Sequence, residues 1–280
     1  MSNKDTTTFI NILLIIIISL GTSIIIYSYL NILKEGFVSV TEKKTNDDLL
    51  IDAVIYINLD ERTDRNREIL DEIKKIGVPK EKIFRLSAVK RKWGALGCSL
   101  SHKAVMEFII QKGWKRTLIL EDDAGFEIGD RWSKGAKEIN KLISSSGLKN
   151  TDSKWDVIFL GGFVRDTNGP IKTEYETLWR TKNTSCAHAY IVRGDYVPKI
   201  LEHIDVSIQM MVKYPPNQNH FNLDNAWSQL MLEDRWFITL PTLAYQRESY
   251  SDIEGKNANS AQPLRGNVVK AWAQGSLLSN

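Results

Sequence analysis

Three consecutive carboxylates, Glu121, Asp122 and Asp123, close the short apolar run Thr117-Leu118-Ile119-Leu120. Adjacent acids repel one another, and at a partly desolvated strand end ordinary folding gains nothing from them. A divalent cation removes that repulsion, and hard oxygen ligands suit Mg²⁺ or Mn²⁺. Strand alternation would put Glu121 and Asp123 on one face and Asp122 on the other. An acid-x-acid pair at the carboxyl end of a strand is where an open α/β sheet receives ligands. A solvated acidic turn is the plainer alternative.

Three other segments carry residues that could serve the same chemistry. The first runs Ile57-Asn58-Leu59-Asp60-Glu61-Arg62-Thr63-Asp64-Arg65. A strand that turns directly into a helix presents backbone N–H groups, and Arg62, Arg65 and Arg67 add charged donors. Together they could hold a nucleotide or its phosphates. The glycine cradles GxGxxG and GxxxxGK[ST] are absent from the sequence. That argues against dinucleotide-dependent dehydrogenases and P-loop enzymes. The second segment is Gly94-Ala95-Leu96-Gly97-Cys98-Ser99-Leu100-Ser101-His102. Its glycines allow close backbone approach to a ligand, and His102 lies one helical turn beyond Cys98 and Ser99. The third, residues 240–253, is a polar stretch following a strand, suited to folding over a bound diphosphate.

The elements that must position these residues follow from hydrophobic periodicity. Strands are expected at 53–59, 82–86, 117–121, 156–160, 189–192 and 236–239. Helices are expected at 64–75, from Ser99 or Ser101 to Lys112, at 131–145, from Asp195, and at 223–233. Alternating strands and helices predict one α/β domain over residues 52–258 with a mainly parallel central sheet. At 280 residues, 42% hydrophobic and 25% charged, the composition is that of an ordinary globular protein. A formal net charge of +3, mixed in sign along the chain, gives no reason to expect nucleic-acid binding. Eight tryptophans are available to stack on sugars, although core filling is their commoner use. Two cysteines, Cys98 and Cys186, make no disulfide framework and read as free thiols in apolar surroundings.

The N-terminus reads differently. Residues 9–33 carry no charge over 25 positions. As a helix this stretch would be about 37 Å long, enough to cross a ~30 Å hydrocarbon core. The expectation is a single-pass membrane anchor between a short tail (1–8) and a polar stem (34–51), with a second tail at 259–280. Lys4 before the stretch and Lys34, Lys43 and Lys44 after it slightly favour a cytosolic domain, leaving the side open.

In this order the segments resemble the family 25 glycosyltransferases, which include lipooligosaccharide and procollagen galactosyltransferases. The resemblance rests on residues 57–60 with Arg65, 94–102, 118–123, 155–161, Asp224 and 241–253, and spans about residues 52 to 256. It implies a GT-A-type, Rossmann-like fold. It also implies transfer of a hexose, usually galactose, from a UDP-sugar to a hydroxyl of a glycan or collagen-like acceptor, with inversion. Asp123 would then bind the metal that bridges the donor diphosphate, and Glu121 the ribose or metal waters. Asp122 completes that motif, Asn58, Asp60 and Arg65 would lie along the nucleotide, and Ser99 and His102 would face the donor sugar. From the last segment Ser251 would lie on the donor. Asp252 would be the third metal ligand, because residues 241–253 contain no histidine.

An inverting transfer needs a base opposite the leaving group, and Asp224, opening the 223–233 helix, is the candidate. Its alternative use is to cap that helix. A glycoside hydrolase is a poorer reading of the acids, since adjacent carboxylates cannot readily supply a pair separated by ~5–9 Å. A catalytically inactive, membrane-tethered module that binds a sugar nucleotide or glycan is the other alternative.

Overall fold

The computed structural model describes residues 48–145, 154–166, 168–214, 221–251 and 256–258, with side chains to residue 248. The expected anchor at 9–33, both tails and most of the stem lie outside the described residues, as does Asp252. Among the described residues no helix is long and apolar enough to cross a membrane. Leu49 and Ile51 are already packed in the core, so the folded domain begins earlier than residue 52.

The strands are β1 (Ala53–Asn58), β2 (Ile83–Ser87), β3 (Arg116–Glu121), β4 (Ala124–Phe126), β5 (Val157–Phe159), β6 (Phe163–Val164) and β7 (Ile171–Lys172). They continue with β8 (Leu178–Arg180), β9 (Thr184–Ser185), β10 (Ala189–Arg193), β11 (Trp236–Thr239), β12 (Ala244–Gln246), β13 (Ser249–Ser251) and β14 (Lys256–Ala258). The α-helices are α1 (Thr63–Lys75), α2 (Gly94–Lys112), α3 (Asp130–Ser144), α4 (Val197–Lys213), α5 (Leu223–Ala226) and α6 (Ser228–Glu233). Eight strands form the central sheet in the order β2-β1-β3-β10-β5-β11-β8-β7. β1 pairs in parallel with both β2 and β3, and β5 pairs in parallel with β11. β10 runs against β3 and β5, and β8 runs against β11 and β7. The sheet is therefore mixed, although most of its strands share one direction.

Alternation along the buried strands sorts side chains to two faces. Val54, Tyr56, Leu118 and Leu120 pack with Ile69 and Ile73 of α1 and with Trp132, Ala136 and Ile139 of α3. Ile55, Ile57, Ile119 and Tyr190 pack on the other side with α2 (Val105, Met106, Ile109), α4 (Ile200, Ile204) and Trp227. β1 and β10 are buried throughout, as strands covered on both faces must be. Trp155, Trp227 and Trp236 are fully buried core residues rather than sugar platforms.

Some local expectations change. Helix α2 begins at Gly94, ahead of the serines expected to cap it. Ser99 and Ser101 instead donate back to the carbonyls of Ala95 and Gly97 at 3.1 and 2.8 Å. The expected 223–233 helix is interrupted at Trp227 and becomes two short helices, α5 and α6.

A buried charge cluster ties the start of β5 to the strands beside it. Asp156, fully buried, accepts from Arg193 at 2.7 Å and from the Arg235 side chain at 2.9 Å, and also from the Arg235 backbone N–H at 2.9 Å. Burial pushes the Asp156 carboxyl up, but the bonds from Arg235 and Arg193 outweigh it and the net direction is down. Asp156→Ala takes from Arg193, which is itself buried, the carboxylate it bonds at 2.7 Å. The expected loss is about 3–5 kcal/mol of unfolding free energy, measured by urea denaturation at neutral pH. Because the folded carboxyl titrates below the unfolded one, this stabilisation is present above about pH 4 and fades as the pH falls further. The difference between parent and variant should therefore shrink in acid.

Candidate functional site

Parallel strands β1 and β3 end side by side, with Ile57 in register with Glu121. Their carboxyl ends, the start of α2 and the segments before β10 and α5 enclose a cavity of about 470 Å³. Glu121, Asp122 and Asp123 all line it, together with Asn58, Arg65, Cys98, His102 and Asp224. The strand stops at Glu121, so simple alternation does not carry Asp122 to the far face. The next two acids lie in the turn that leads to β4.

The three acids have different surroundings. Asp122 is held on both oxygens: Asn58 Nδ2 donates to Oδ2 at 2.8 Å, and Arg65 Nη1 donates to Oδ1 at 2.8 Å. Arg247 adds a bond from Nη2 to the Asp122 carbonyl at 2.6 Å and one from its backbone N–H to the Asp123 carbonyl at 2.8 Å. Asp123 has the Arg65 guanidinium at 3.7 Å from one carboxylate oxygen, while its buried Oδ1 accepts no hydrogen bond. Burial, and then the Glu121 charge, push the Asp123 carboxyl up to about 7. Burial also raises the carboxyl of Glu121, but the hydrogen bond and charge of His102, with His188 and Arg65 beyond, bring it below its usual value. Burial lowers His188 itself to about 4, against the pull of the Glu121 charge.

The glycine- and serine-rich start of α2 has a packing logic. A Cβ on Gly97 would sit 2.4 Å from the Val89 carbonyl oxygen, so only glycine lets the helix approach the 89–91 segment this closely. Ser101 Oγ accepts from the Val89 backbone N–H at 2.8 Å and fixes the same segment. The next residue, His102, meets the Tyr190 hydroxyl with Nδ1 at 2.9 Å, and its Nε2 faces Glu121 Oε1 at 3.4 Å. On the opposite wall Cys186 adopts a left-handed backbone (φ 74°), and its N–H donates to Asp224 Oδ2 at 3.2 Å.

The structure thus brings Asn58, Arg65, His102, Glu121, Asp122, Asp123 and Asp224 to one cavity. It does not bring Asp60, Arg62 or Ser99 there. Asp60 is exposed and accepts from Arg85 at 2.6 Å, and Arg62 pairs with Asp64 at 3.0 Å on the surface start of α1. Ser99 is fully buried against Ala95 and Met211, on the core side of the helix. Ser251 lies in β13, where only the backbone is described. Asp224 does not cap α5: the cap position is Asn222, and Asp224 stands in the first turn facing the cavity. Sequence reasoning missed Arg247, Tyr190, Asn222 and the Cys186 wall. The arginine lies far along the chain from the acids, and only the pairing of β12 with β4 brings it back.

The donor set fits a hard divalent cation. Four carboxylates line the cavity, Asp224 and the three at the end of β3, a buried cation beside the aspartates is Arg65, and Oδ1 of Asp123 accepts no hydrogen bond. Asp123 and Glu121 are the side chains placed to hold it, because both oxygens of Asp122 are engaged.

Residues 80–212 match the model of glycosyltransferase family 25, described as an LPS biosynthesis protein family. A rat (Rattus norvegicus) protein named probable inactive glycosyltransferase 25 family member 3 is 34% identical over 68 residues, 24% of this chain and 11% of that protein. The chain thus spans about a tenth of that relative's length. Among solved structures, mannose-1-phosphate geranyltransferase from Thermus thermophilus aligns with a TM-score of 0.37 at 10% identity, over 67% of this chain and 72% of the other. A glycosyltransferase involved in glycosylation of the major capsid of PBCV-1 aligns at 0.35 and 10% identity, over 67% and 92%.

The cavity wall also sets thiol reactivity. Burial, then the charges of Asp224 and Glu121, push the Cys186 thiol up to about 12, and burial likewise raises Cys98. Alkylation of native protein at pH 8 should be roughly a thousandfold slower than that of an exposed cysteine. Both thiols should react rapidly in denaturant. Fast labelling of either in the native chain would show that the wall is open.

Proposed function

From the match of residues 80–212 to the glycosyltransferase family 25 model, we propose that this chain moves a hexose from a UDP-sugar to a hydroxyl acceptor. Galactose is the sugar the sequence resemblance favours, transfer inverts the anomeric centre, and the acceptor is a glycan or a collagen-like chain. The domain is GT-A-type and is tethered by a membrane helix over residues 9–33, with its side of the membrane open. The observation that carries this reading is the acidic end of β3. There Asp123, raised to about 7 by burial and by Glu121, faces a cavity large enough for part of a sugar nucleotide.

Each residue then has a task. Asn58 and Arg65 fix Asp122, which sets the turn and thereby aims Asp123 into the cavity. Arg247 clamps the same turn from the β12 side. A divalent cation held by Asp123 and Glu121 would neutralise the charge that develops on the departing diphosphate. Arg65, beside both aspartates, holds the local charge in check until the donor arrives. Asp224, on the opposite wall and oriented by the Cys186 N–H, takes the proton from the acceptor hydroxyl as it attacks. The left-handed backbone at Cys186 is a local strain that aims this N–H, the kind of outlier that accompanies working sites.

Asp123→Ala should remove Mn²⁺-dependent UDP binding and reduce transfer to below about 1% of the parent, a loss of at least about 2.7 kcal/mol in the barrier. UDP-sugar binding and turnover of the parent chain that are indifferent to EDTA would overturn the donor-site reading. Asp224→Asn should lower kcat by about 10²–10⁴-fold while leaving UDP affinity in place. A fall smaller than tenfold would remove Asp224 from the role of base. Donor binding without any transfer, across a panel of acceptors, would point to the inactive binding module.

A further inference from the structure

The cavity contains a second set of ligands, of which the sugar-transfer reading uses only Glu121. Cys98 and His102 stand one turn apart on α2 and face Glu121 at the end of β3. The Cys98 Sγ to Glu121 Oε1 distance is 3.8 Å, and His102 Nε2 to the same oxygen is 3.4 Å. The three ligand atoms all lie within 4.8 Å of one another. Ligands arranged tetrahedrally around zinc stand about 3.3 Å apart for a nitrogen–oxygen pair and about 3.5 Å for a sulfur–oxygen pair, given Zn–N and Zn–O near 2.0 Å and Zn–S near 2.3 Å. These are long, weak hydrogen bonds but close to the edges of a metal tetrahedron.

We propose that Cys98, His102 and Glu121 form a binding site for Zn²⁺ or a cation of similar softness, distinct from the hard-cation position at Asp123. A thiol and an imidazole select borderline and soft metals, whereas Mn²⁺ and Mg²⁺ prefer oxygen. The support for His102 is in place as well. Its other ring nitrogen, Nδ1, meets the hydroxyl of Tyr190, a fully buried residue, at 2.9 Å. That contact leaves Nε2 for the metal, as the outer partners of metal-binding histidines do. Three protein ligands leave the fourth position open to the cavity, and Cys98 and Glu121 line that cavity, so the ion has a path from solvent. On binding, the thiol proton passes to solvent and the sulfur binds as thiolate, its charge balanced by the ion.

The consequence rests on the donor-site reading. Glu121 belongs to both sets, so a zinc ion seated on Cys98 and His102 withdraws that carboxylate and occupies space needed by the sugar nucleotide. Zinc and donor then exclude one another.

Cobalt is the probe that separates the two sites. The full chain, stripped with EDTA, is titrated with Co²⁺ and followed in the near ultraviolet, where a cobalt–thiolate bond absorbs. The expected result is one equivalent of absorbing cobalt, displaced by Zn²⁺, and lost in Cys98→Ser but retained in Cys186→Ser. No absorption in the unmodified chain, or absorption that survives Cys98→Ser, overturns the proposal. Should Cys98→Ser fail to fold, zinc X-ray absorption on the unmodified chain decides. One sulfur and one imidazole around the ion support the site, and a shell of oxygen alone overturns it. Asp123→Asn separates this proposal from the donor site, since it should lose Mn²⁺-dependent UDP binding and keep the cobalt band. In the unmodified chain, absent UDP binding with the band present would sink the transferase reading alone, and UDP binding without the band would sink the zinc site alone.

Discussion

The balance of charge where β3 ends governs this structure. Glu121, Asp122 and Asp123 converge on one cavity, and one buried guanidinium, Arg65, stands against the two aspartates. Bringing carboxylates together out of bulk water is unfavourable unless each is paired or neutralised. Asp122 is satisfied by Asn58 and Arg65, and Glu121 leans on His102. Asp123 is left with a raised carboxyl and an unbonded oxygen. The imbalance is built into the fold, and a ligand that brings positive charge would relieve it.

Everything around that point serves to hold it rigid. The parallel pairing of β1 with β3 sets Asn58 beside the acids, and α1, springing from the end of β1, delivers Arg65 from the buried side of its first turn. On the opposite face α2 is pressed against the 89–91 segment by Gly97 and Ser101, which brings His102 against Glu121. Arg247 closes the turn from below through the short β4–β12 pair. Side chains from distant parts of the chain thus meet within one small volume. The clamp depends on packing in both halves of the core.

The sequence made the long, apolar elements readable, and the structure keeps β1, β3, α1 and α3 within a few residues of expectation. It misled where local preference and packing disagree. Gly97 sits in the first turn of α2 although glycine is a poor helix former, because close approach to Val89 outweighs propensity. Of the two serines, only Ser101 faces the 89–91 segment, and nothing in composition separates it from Ser99, which is buried in the core. The acids, Asn58, Arg65, His102 and Asp224 were legible because unusual residue types stood at strand or helix ends. Asp60 and Arg62 had the right types, but they lie past the end of the strand and turn to the surface. Strands such as β6, β7 and β9 are two residues long and carry no periodicity to read. Arg247 was hidden by its distance along the chain.

The reversed direction of β10 has a wider meaning. Because it runs against β3, its beginning rather than its end abuts the acids, and the Glu121 N–H bonds to the His188 carbonyl there. The chain comes in past the cavity through Cys186 and Ala187, then departs at Arg193 on the remote side of the sheet. Just before Cys186, β9 is buried and pairs with β6. That wall is therefore pinned at both ends, by the small β6–β9 ladder on one side and by the central sheet on the other. The N–H that faces Asp224 thus sits in a bend fixed by two ladders rather than in a free loop.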